Sequence, residues 1–282
     1  MSTMKMTRFQ LDGADGGPLR GEVRTAGSGE GQPAVVICHG FKGFKGWGFF
    51  PKLAERLARA GITAVSFNFS GSGVGPDGEN FTERERFSRS TYSGDLEDLA
   101  TVTDALLRGD LIAGLPALST YGLFGHSRGG GTAILHAAGN GVVSALVTWA
   151  AIARVFRWDE EVVERWRAAG KQDVVNARTG EVLSLSTDML DDIIARRDAL
   201  DILGAATRVR ADWLIIHGAD DESVAVAEAQ ELCNAANPET AKLEIIEGGT
   251  HTLGAVHPWA GYVAALEEAM EATVGWFAGR LV

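Results

Sequence analysis

Ser127 stands at the centre of Gly125-His126-Ser127-Arg128-Gly129, a G-x-S-x-G spacing. Glycines two residues before and two after a serine let a helix approach the strand it leaves. They lift the hydroxyl above the sheet on a sharp turn. The chemistry this arrangement serves is nucleophilic attack on a carbonyl. A hydroxyl is a poor nucleophile until a base takes its proton, so a partner must reach the turn from elsewhere. Five-residue matches also arise by chance, and a structural serine in a tight turn gives the same spacing. The context separates the two: "LSTYGLF" reads as a strand just before, and "GGTAILHAA" as a helix just after.

Six histidines are candidates for the base. His39 and His126 adjoin glycines at expected strand ends and suit packing or orienting roles. His136 falls within the helix after the serine and points away from the turn, and His217 precedes Gly218 at another strand end. His257, before Pro258 at an expected helix start, suits the surface. His251 follows "LEIIEGGT", just beyond the last expected strand, where a loop lies beside the nucleophile. It is the expected base. An imidazole in that role needs a carboxylate to fix its tautomer and stabilise its charge. "IIHGADDESV" ends a strand and offers Asp220, Asp221 and Glu222. The resulting chain order is Ser, Asp, His.

These groups need a scaffold that brings three distant loops together. "TRFQLDG" and "LRGEVRTA" read as an opening antiparallel pair with a turn at "GADGGP". "PAVVICHG", "ITAVSFNFSG", "STYGLFGHS", "VSALVTWAA", "ADWLIIHGADD" and "AKLEIIEGGTH" are short apolar runs that suit buried strands. "FPKLAERLARAG", "STYSGDLEDLATVTDALLRG", "RGGGTAILHAAGN" and "VAEAQELCNAAN" alternate with them as helices, and a last helix is expected from about Trp259 to the end. Such alternation implies a mostly parallel sheet covered on both faces, an α/β fold. From Ile152 to Arg208 the rhythm breaks: "DEEVVERWRAAG" and "TDMLDDIIARRDALDI" read as helices around a hairpin, "VVNARTGEVLSL". The expectation is a core of residues 1–151 and 209–282 with a helix-hairpin-helix cap at 152–208. In such sheets ligands lie beyond the carboxyl ends of the strands, where this insertion begins. Trp158 and Trp166, large rings in a charged segment, are the expected substrate-binding residues there.

With these motifs in place, the chain resembles an α/β-hydrolase over essentially its whole length, with an eight-stranded sheet. "VVICHGFKGFKGWGFF" resembles the family's HG-x oxyanion loop, and "SFNFSGSGVGPDGE" the strand and loop that follow. "GHSRGG" is similar to the nucleophile elbow and "GGTHT" to the histidine loop. "IIHGADDESV" resembles HG-x-x-D-x-x-V, a register that places the acid at Asp221. The resemblance implies a Ser127–His251–Asp221 triad and an oxyanion hole built from the backbone N–H groups of Phe41 and Arg128. It is strongest to small bacterial esterases with a cap, including cinnamoyl (feruloyl) esterases. This implies hydrolysis of short or aromatic acyl esters through an acyl-enzyme. Acylaminoacyl-peptidase-like hydrolases share much of the pattern, and thioesterases use the same machinery. Arg128 stands where feruloyl esterases commonly carry Gln, which leaves substrate identity open. A binding protein on a hydrolase fold is the reading from another class.

The formal net charge is −11 across 282 residues. A surface that negative repels nucleic acid and anionic lipid, so neither is an expected partner. By itself it favours neutral or cationic substrates. "GFKGFKGW" lacks the phosphate-loop spacing, "GSGVG" opens no helix, and no metal-ligand cluster or cofactor motif stands out. Cys38 and Cys233 are expected as buried free thiols. The N-terminal "MSTMKMTRFQLDG" lacks the apolar core of a signal peptide. The expected molecule is cytoplasmic, takes a small-molecule ester and needs no cofactor; a homodimer is left open.

Overall fold

The structure, a computed structural model, describes residues 3–27, 31–176 and 179–282. Strands run in chain order as β1 (Met4–Asp12), β2 (Pro18–Ala26), β3 (Ala34–Cys38), β4 (Thr63–Phe67), β5 (Tyr121–His126) and β6 (Val143–Trp149). They continue as β7 (Lys171–Val175), β8 (Val182–Ser186), β9 (Asp212–Gly218) and β10 (Ala241–Ile246). The helices are α1 (Phe50–Arg59), α2 (Arg84–Ser88), α3 (Tyr92–Arg108), α4 (Arg128–Gly139) and α5 (Glu160–Ala169). After them come α6 (Asp188–Ala195), α7 (Ile202–Ala206), α8 (Val226–Ala235) and α9 (Ala264–Leu281).

Eight strands form one sheet in the order β1-β2-β4-β3-β5-β6-β9-β10. The β1/β2 and β2/β4 pairs are antiparallel and all later pairs are parallel. The period of two along a strand decides which layer each residue feeds. In β3, Val36 and Cys38 join one core cluster while Val35 and Ile37 join the other. Leu99 of α3, Ile134 of α4 and Leu232 of α8 cover the first face. Leu53 of α1 and Met270 and Phe277 of α9 cover the second. The inner parallel strands are therefore buried on both sides, which is why they read as unbroken apolar runs.

The helices start and stop where capping chemistry allows. Thr91 accepts a hydrogen bond from the Gly94 amide at the start of α3, and Gly109 ends it at φ 76°. Asp159 caps α5 through the Val162 amide. The last helix begins at Ala264, not near Trp259: Gly261 at φ 114° and extended Val263 hold the chain out of helical geometry before it. The five-residue α2 is too short to show a helical period and had no sequence signal.

Residues 152–208 hold α5, the β7–β8 hairpin, α6 and α7. The hairpin strands pair Lys171↔Ser186 through Val175↔Val182. Ala177 and Arg178, within the hairpin turn expected from the sequence, lie outside the described residues. Trp166, Leu183, Leu185, Met189 and Leu190 share the cluster on the first sheet face. The segment is thus seated on the sheet's own core. Arg84 pairs with Glu181, and Ser186 Oγ donates to the Ser88 carbonyl at 3.1 Å, tying the hairpin to α2.

Candidate active site

Ser127 lies between β5 and α4 with φ 55° and ψ −120°. A non-glycine residue held there costs about 1–3 kcal/mol, a strain typical of functional turns. Its amide donates to the Trp149 carbonyl at 2.9 Å, which fixes the turn to β6. The flanking glycines are required by close approach. A Cβ on Gly125 would stand 2.4 Å from the Gly129 carbonyl oxygen, and one on Gly129 would stand 2.3 Å from that of His39.

Two other loops converge on this turn. The loop after β10 carries His251, whose Nε2 is 3.0 Å from Ser127 Oγ. The loop after β9 carries Asp221, whose Oδ2 is 2.8 Å from His251 Nδ1. A carboxylate only accepts, so Nδ1–H donates to Asp221 and Nε2 is free to accept the serine hydroxyl. Asp221 Oδ1 accepts from the Ser223 and Val224 amides at 2.8 and 2.9 Å. Burial alone pushes this carboxyl up. Hydrogen bonds from His217, His251 and the Val224 amide outweigh that and hold it well below the usual carboxylate range. Asp220, by contrast, is exposed.

The loop after β3 supplies the third wall. A Cβ on Gly40 would stand 3.0 Å from Ser127 Cβ, so the 39–43 backbone lies against the serine. Neither the Phe41 nor the Arg128 amide donates to a loop or side-chain acceptor among the described residues. Arg128 is the first residue of α4, where an N–H has no partner within the helix and the helix dipole is positive.

A family model described as "Alpha/beta hydrolase family" matches residues 35–265. The chain belongs to the alpha/beta hydrolase family. No curated protein matches it in sequence. Among solved structures, Est1E from Butyrivibrio proteoclasticus is similar at TM-score 0.68 and 19% identity, over 96% of this chain and 98% of that one. A dienelactone hydrolase from Anabaena variabilis is similar at 0.65 and 19%, over 99% of each chain. The esterase domain of a Rhodothermus marinus protein is similar at 0.65 and 16%, over 99% of this chain and 100% of that one. At these identities the likeness is one of fold: an alpha/beta hydrolase sheet, eight-stranded and mostly parallel, with flanking helices.

In this hydrolase Ser127 and His251 line a cavity of about 300 Å³, with Phe41, Tyr92, Trp158 and Met189 among its other walls. Trp158 is part of this lining. Trp166 is not: it is fully buried, donates from Nε1 to the Ser186 carbonyl at 3.1 Å and packs edge-on against Trp158 at 5.1 Å. The apolar face of α5 turns inward onto the hairpin, so Trp166 backs Trp158 instead of meeting the cavity. Trp166→Ala is expected to cost about 3–5 kcal/mol of stability, as large buried rings do. Trp158→Ala should change kcat/KM far more than stability. Urea unfolding and ester kinetics on both variants check the pair.

Further residues shape this site, among them the Arg128 side chain and His217, to which the sequence reading gave no contact. The Arg128 side chain is buried; its Nε donates to Asp95 Oδ2 at 2.7 Å and its Nη2 to the Thr91 carbonyl at 2.9 Å. Its guanidinium lies 4.3 Å from the Tyr92 ring centroid. His217 Nε2 donates to the Val224 carbonyl at 2.8 Å and lies 3.2 Å from Asp221 Oδ2. His126 Nε2 lies 2.9 Å from the His251 carbonyl oxygen and holds that loop in place. His39 bridges loops, with Nδ1 at the Gly40 carbonyl (2.8 Å) and Nε2 accepting from the Phe69 amide (3.2 Å). His257, expected at the surface of a helix start, instead accepts from the Gly48 amide at 3.1 Å and pairs with Glu79 at 2.8 Å. Cys38 is buried and Cys233 partly exposed; neither is in a disulfide.

Burial pushes His39 and His136 down to about 4. Burial, with the charge of nearby His251, pushes His126 to about 3. A histidine depressed in the folded state binds protons more readily once unfolded, so each withdraws stability as pH falls below about 6.5. Burial raises Asp98 to about 6 and acts in the opposite sense between about 6 and 4. Burial raises Asp95 as well; three histidines still outnumber these two aspartates, and Asp221 adds to the loss at lower pH. The melting temperature should therefore fall from pH 7 to pH 4.5, and calorimetry across that window checks the sign.

Proposed function

We propose that the protein is a serine hydrolase of carboxylic esters with Ser127, His251 and Asp221 as its triad. The observation that carries this reading is the unbroken chain of contacts, 3.0 Å from Ser127 Oγ to His251 Nε2 and 2.8 Å from His251 Nδ1 to Asp221 Oδ2. As Ser127 Oγ attacks the ester carbonyl, His251 Nε2 takes its proton. Asp221 holds the imidazole in the required tautomer and stabilises its positive charge. The amides of Phe41 and Arg128 receive the charge that develops on the carbonyl oxygen. Such fixed donors are worth about 2.7–4 kcal/mol each where one has been removed. His251 then returns the proton to the departing alcohol, leaving an acyl group on Ser127. Water, deprotonated by the same imidazole, attacks the acyl-enzyme; the acid leaves and Ser127 recovers its proton.

The cavity is at the small end of ligand pockets, which run to about 300–1,000 Å³. With Tyr92, Trp158 and Leu185 in its lining, it suits short or aromatic acyl groups. Residues 152–208 act as a lid in this reading, contributing Ile152, Trp158, Leu185 and Met189 to the wall. Est1E, solved with ferulic acid bound, is a fold-level relative that takes an aromatic acid. The test is kcat/KM on 4-nitrophenyl esters of rising acyl length and on methyl hydroxycinnamates, with thioester and aminoacyl substrates alongside. Short and aromatic oxygen esters should be fastest. Best turnover of long-chain emulsions, or of thioesters or aminoacyl compounds, contradicts the assignment. Replacing residues 174–185 with a Gly-Ser link should broaden acyl-length selectivity; unchanged selectivity removes the lid role.

A further inference from the structure

The lining of the Ser127 cavity carries three cationic side chains, Lys42, Arg128 and Arg157, and no carboxylate. In a chain of net charge −11 that imbalance is local and opposite to the whole. Screening confines the reach of surface charge to about 8 Å at physiological salt, so groups on the wall decide what the cavity accepts. Two of the three cations are already matched. Arg128 pairs with Asp95 at 2.7 Å, and Arg157 with Glu228 at 2.9 Å, both acids standing outside the lining. Asp221 is also outside it, with a fully buried side chain.

Lys42 is different. It follows Phe41 in the loop against Ser127 and holds φ 58°, a left-handed conformation uncommon for any residue but glycine. Its Nζ lies 5.8 Å from the Phe41 ring centroid and reaches across to the Val175 carbonyl of β7 at 2.8 Å. That neutral oxygen is its only hydrogen-bond acceptor among the described residues, and no carboxylate there pairs with it. An ammonium has three donors, so two remain to be met. Burial pushes the Lys42 ammonium below its ordinary value, and no counter-charge among the described residues offsets it. In the same lining, the one acceptor of Arg128 Nη1 among the described residues is the Met189 sulfur at 4.0 Å, a weak acceptor, which leaves donor capacity to spare.

We propose that the esters taken by this site carry a free carboxylate remote from the scissile bond, held by Lys42 Nζ with Arg128 Nη1 in support. This rests on the serine-esterase reading above and names its substrate class: half-esters of dicarboxylic acids and similar acid-bearing esters. In a cavity of about 300 Å³, a substrate with its carbonyl at Ser127 places its remaining atoms close to every wall. A carboxylate there gives the Lys42 ammonium a counter-charge and a second acceptor beside the Val175 carbonyl. A neutral ester of the same shape leaves a partly buried ammonium unmatched.

The experiment is a matched pair: monomethyl adipate and its neutral isostere, the monomethyl ester of adipic monoamide. Both are followed by release of methanol, with 4-nitrophenyl acetate as a reference ester. The unaltered protein should prefer the carboxylate by at least about tenfold in kcat/KM, the scale of a charge-assisted hydrogen bond. The preference should shrink with added salt. Lys42→Met keeps length and loses charge, and should bring the ratio of the two substrates close to one. Because the ratio is read within each protein, a general loss of activity in the variant cancels. A wild-type ratio at or below one overturns the proposal, and so does a ratio that Lys42→Met leaves unchanged. Turnover of 4-nitrophenyl acetate with neither adipate ester hydrolysed overturns it while leaving the esterase reading intact. No turnover of any of the three esters overturns that reading and the proposal together.

Discussion

Ser127→Ala is expected to lower kcat/KM on 4-nitrophenyl esters by about 10⁴–10⁶-fold with the fold unchanged, the scale seen when a triad serine is removed. The reasoning is geometric. Ser127 Oγ is the hydroxyl bonded to His251 Nε2, and no other serine or threonine side chain of the described residues makes that contact. The turn adds a second expectation. At φ 55° the serine is strained, and alanine inherits the strain because it also has a Cβ. Ser127→Gly removes it and should be equally inactive but more stable than wild type by about 1 kcal/mol. Kinetics and denaturant unfolding on the two variants separate loss of the hydroxyl from damage to the fold. A folded Ser127→Ala enzyme with activity near wild type would end the assignment.

Asp221→Asn should follow with a loss of about 10⁴-fold in kcat, while Asp220→Asn stays within a few-fold of wild type. Asp221 meets His251 Nδ1–H through Oδ2 and two backbone amides through Oδ1, so all its near partners are donors. An amide at this position must turn its NH2 toward one set of donors. That misplaces the His251 tautomer or leaves buried N–H groups unmet, at about 1–3 kcal/mol of stability. Asp220 is exposed, and its backbone amide, which asparagine retains, donates to the Gly249 carbonyl at 2.8 Å. Steady-state kinetics on the two variants decide which position holds the acid, and the reverse order of losses moves the role by one residue.

The sheet could be read from the sequence because strands buried on both faces leave an unbroken apolar signal, and each is followed by a helix with its own period. The Ser127 turn could be read because Gly125 answers a steric demand from the Gly129 backbone, close by in sequence. The resemblance of "HGADDESV" to the family pattern gave Asp221 a position, and local contacts accompany that register: Gly218 leaves room for the Gly249 carbonyl of the loop that carries His251, and the Ser223 and Val224 amides close on the Asp221 carboxylate. What was hidden depended on partners far away in sequence. Arg128 finds Asp95 across 33 positions, and Lys42 finds Val175 across 133. Trp158 and Trp166 look alike in a charged segment. Only the seating of α5 on the hairpin sends one to the cavity and the other to the core. His217 looked like a strand end because its contact with Asp221 forms only once the loop after β9 folds back.

Covalent trapping decides whether Ser127 is the nucleophile. A fluorophosphonate added to the intact protein should form one adduct per chain. Peptide mass spectrometry should place that adduct on Ser127, and ester hydrolysis should fall in proportion to the fraction modified. Neither Ser127→Ala nor Ser127→Gly should be labelled. Ester hydrolysis that persists with Ser127 fully modified, or an inactivating adduct on any other residue, contradicts the account.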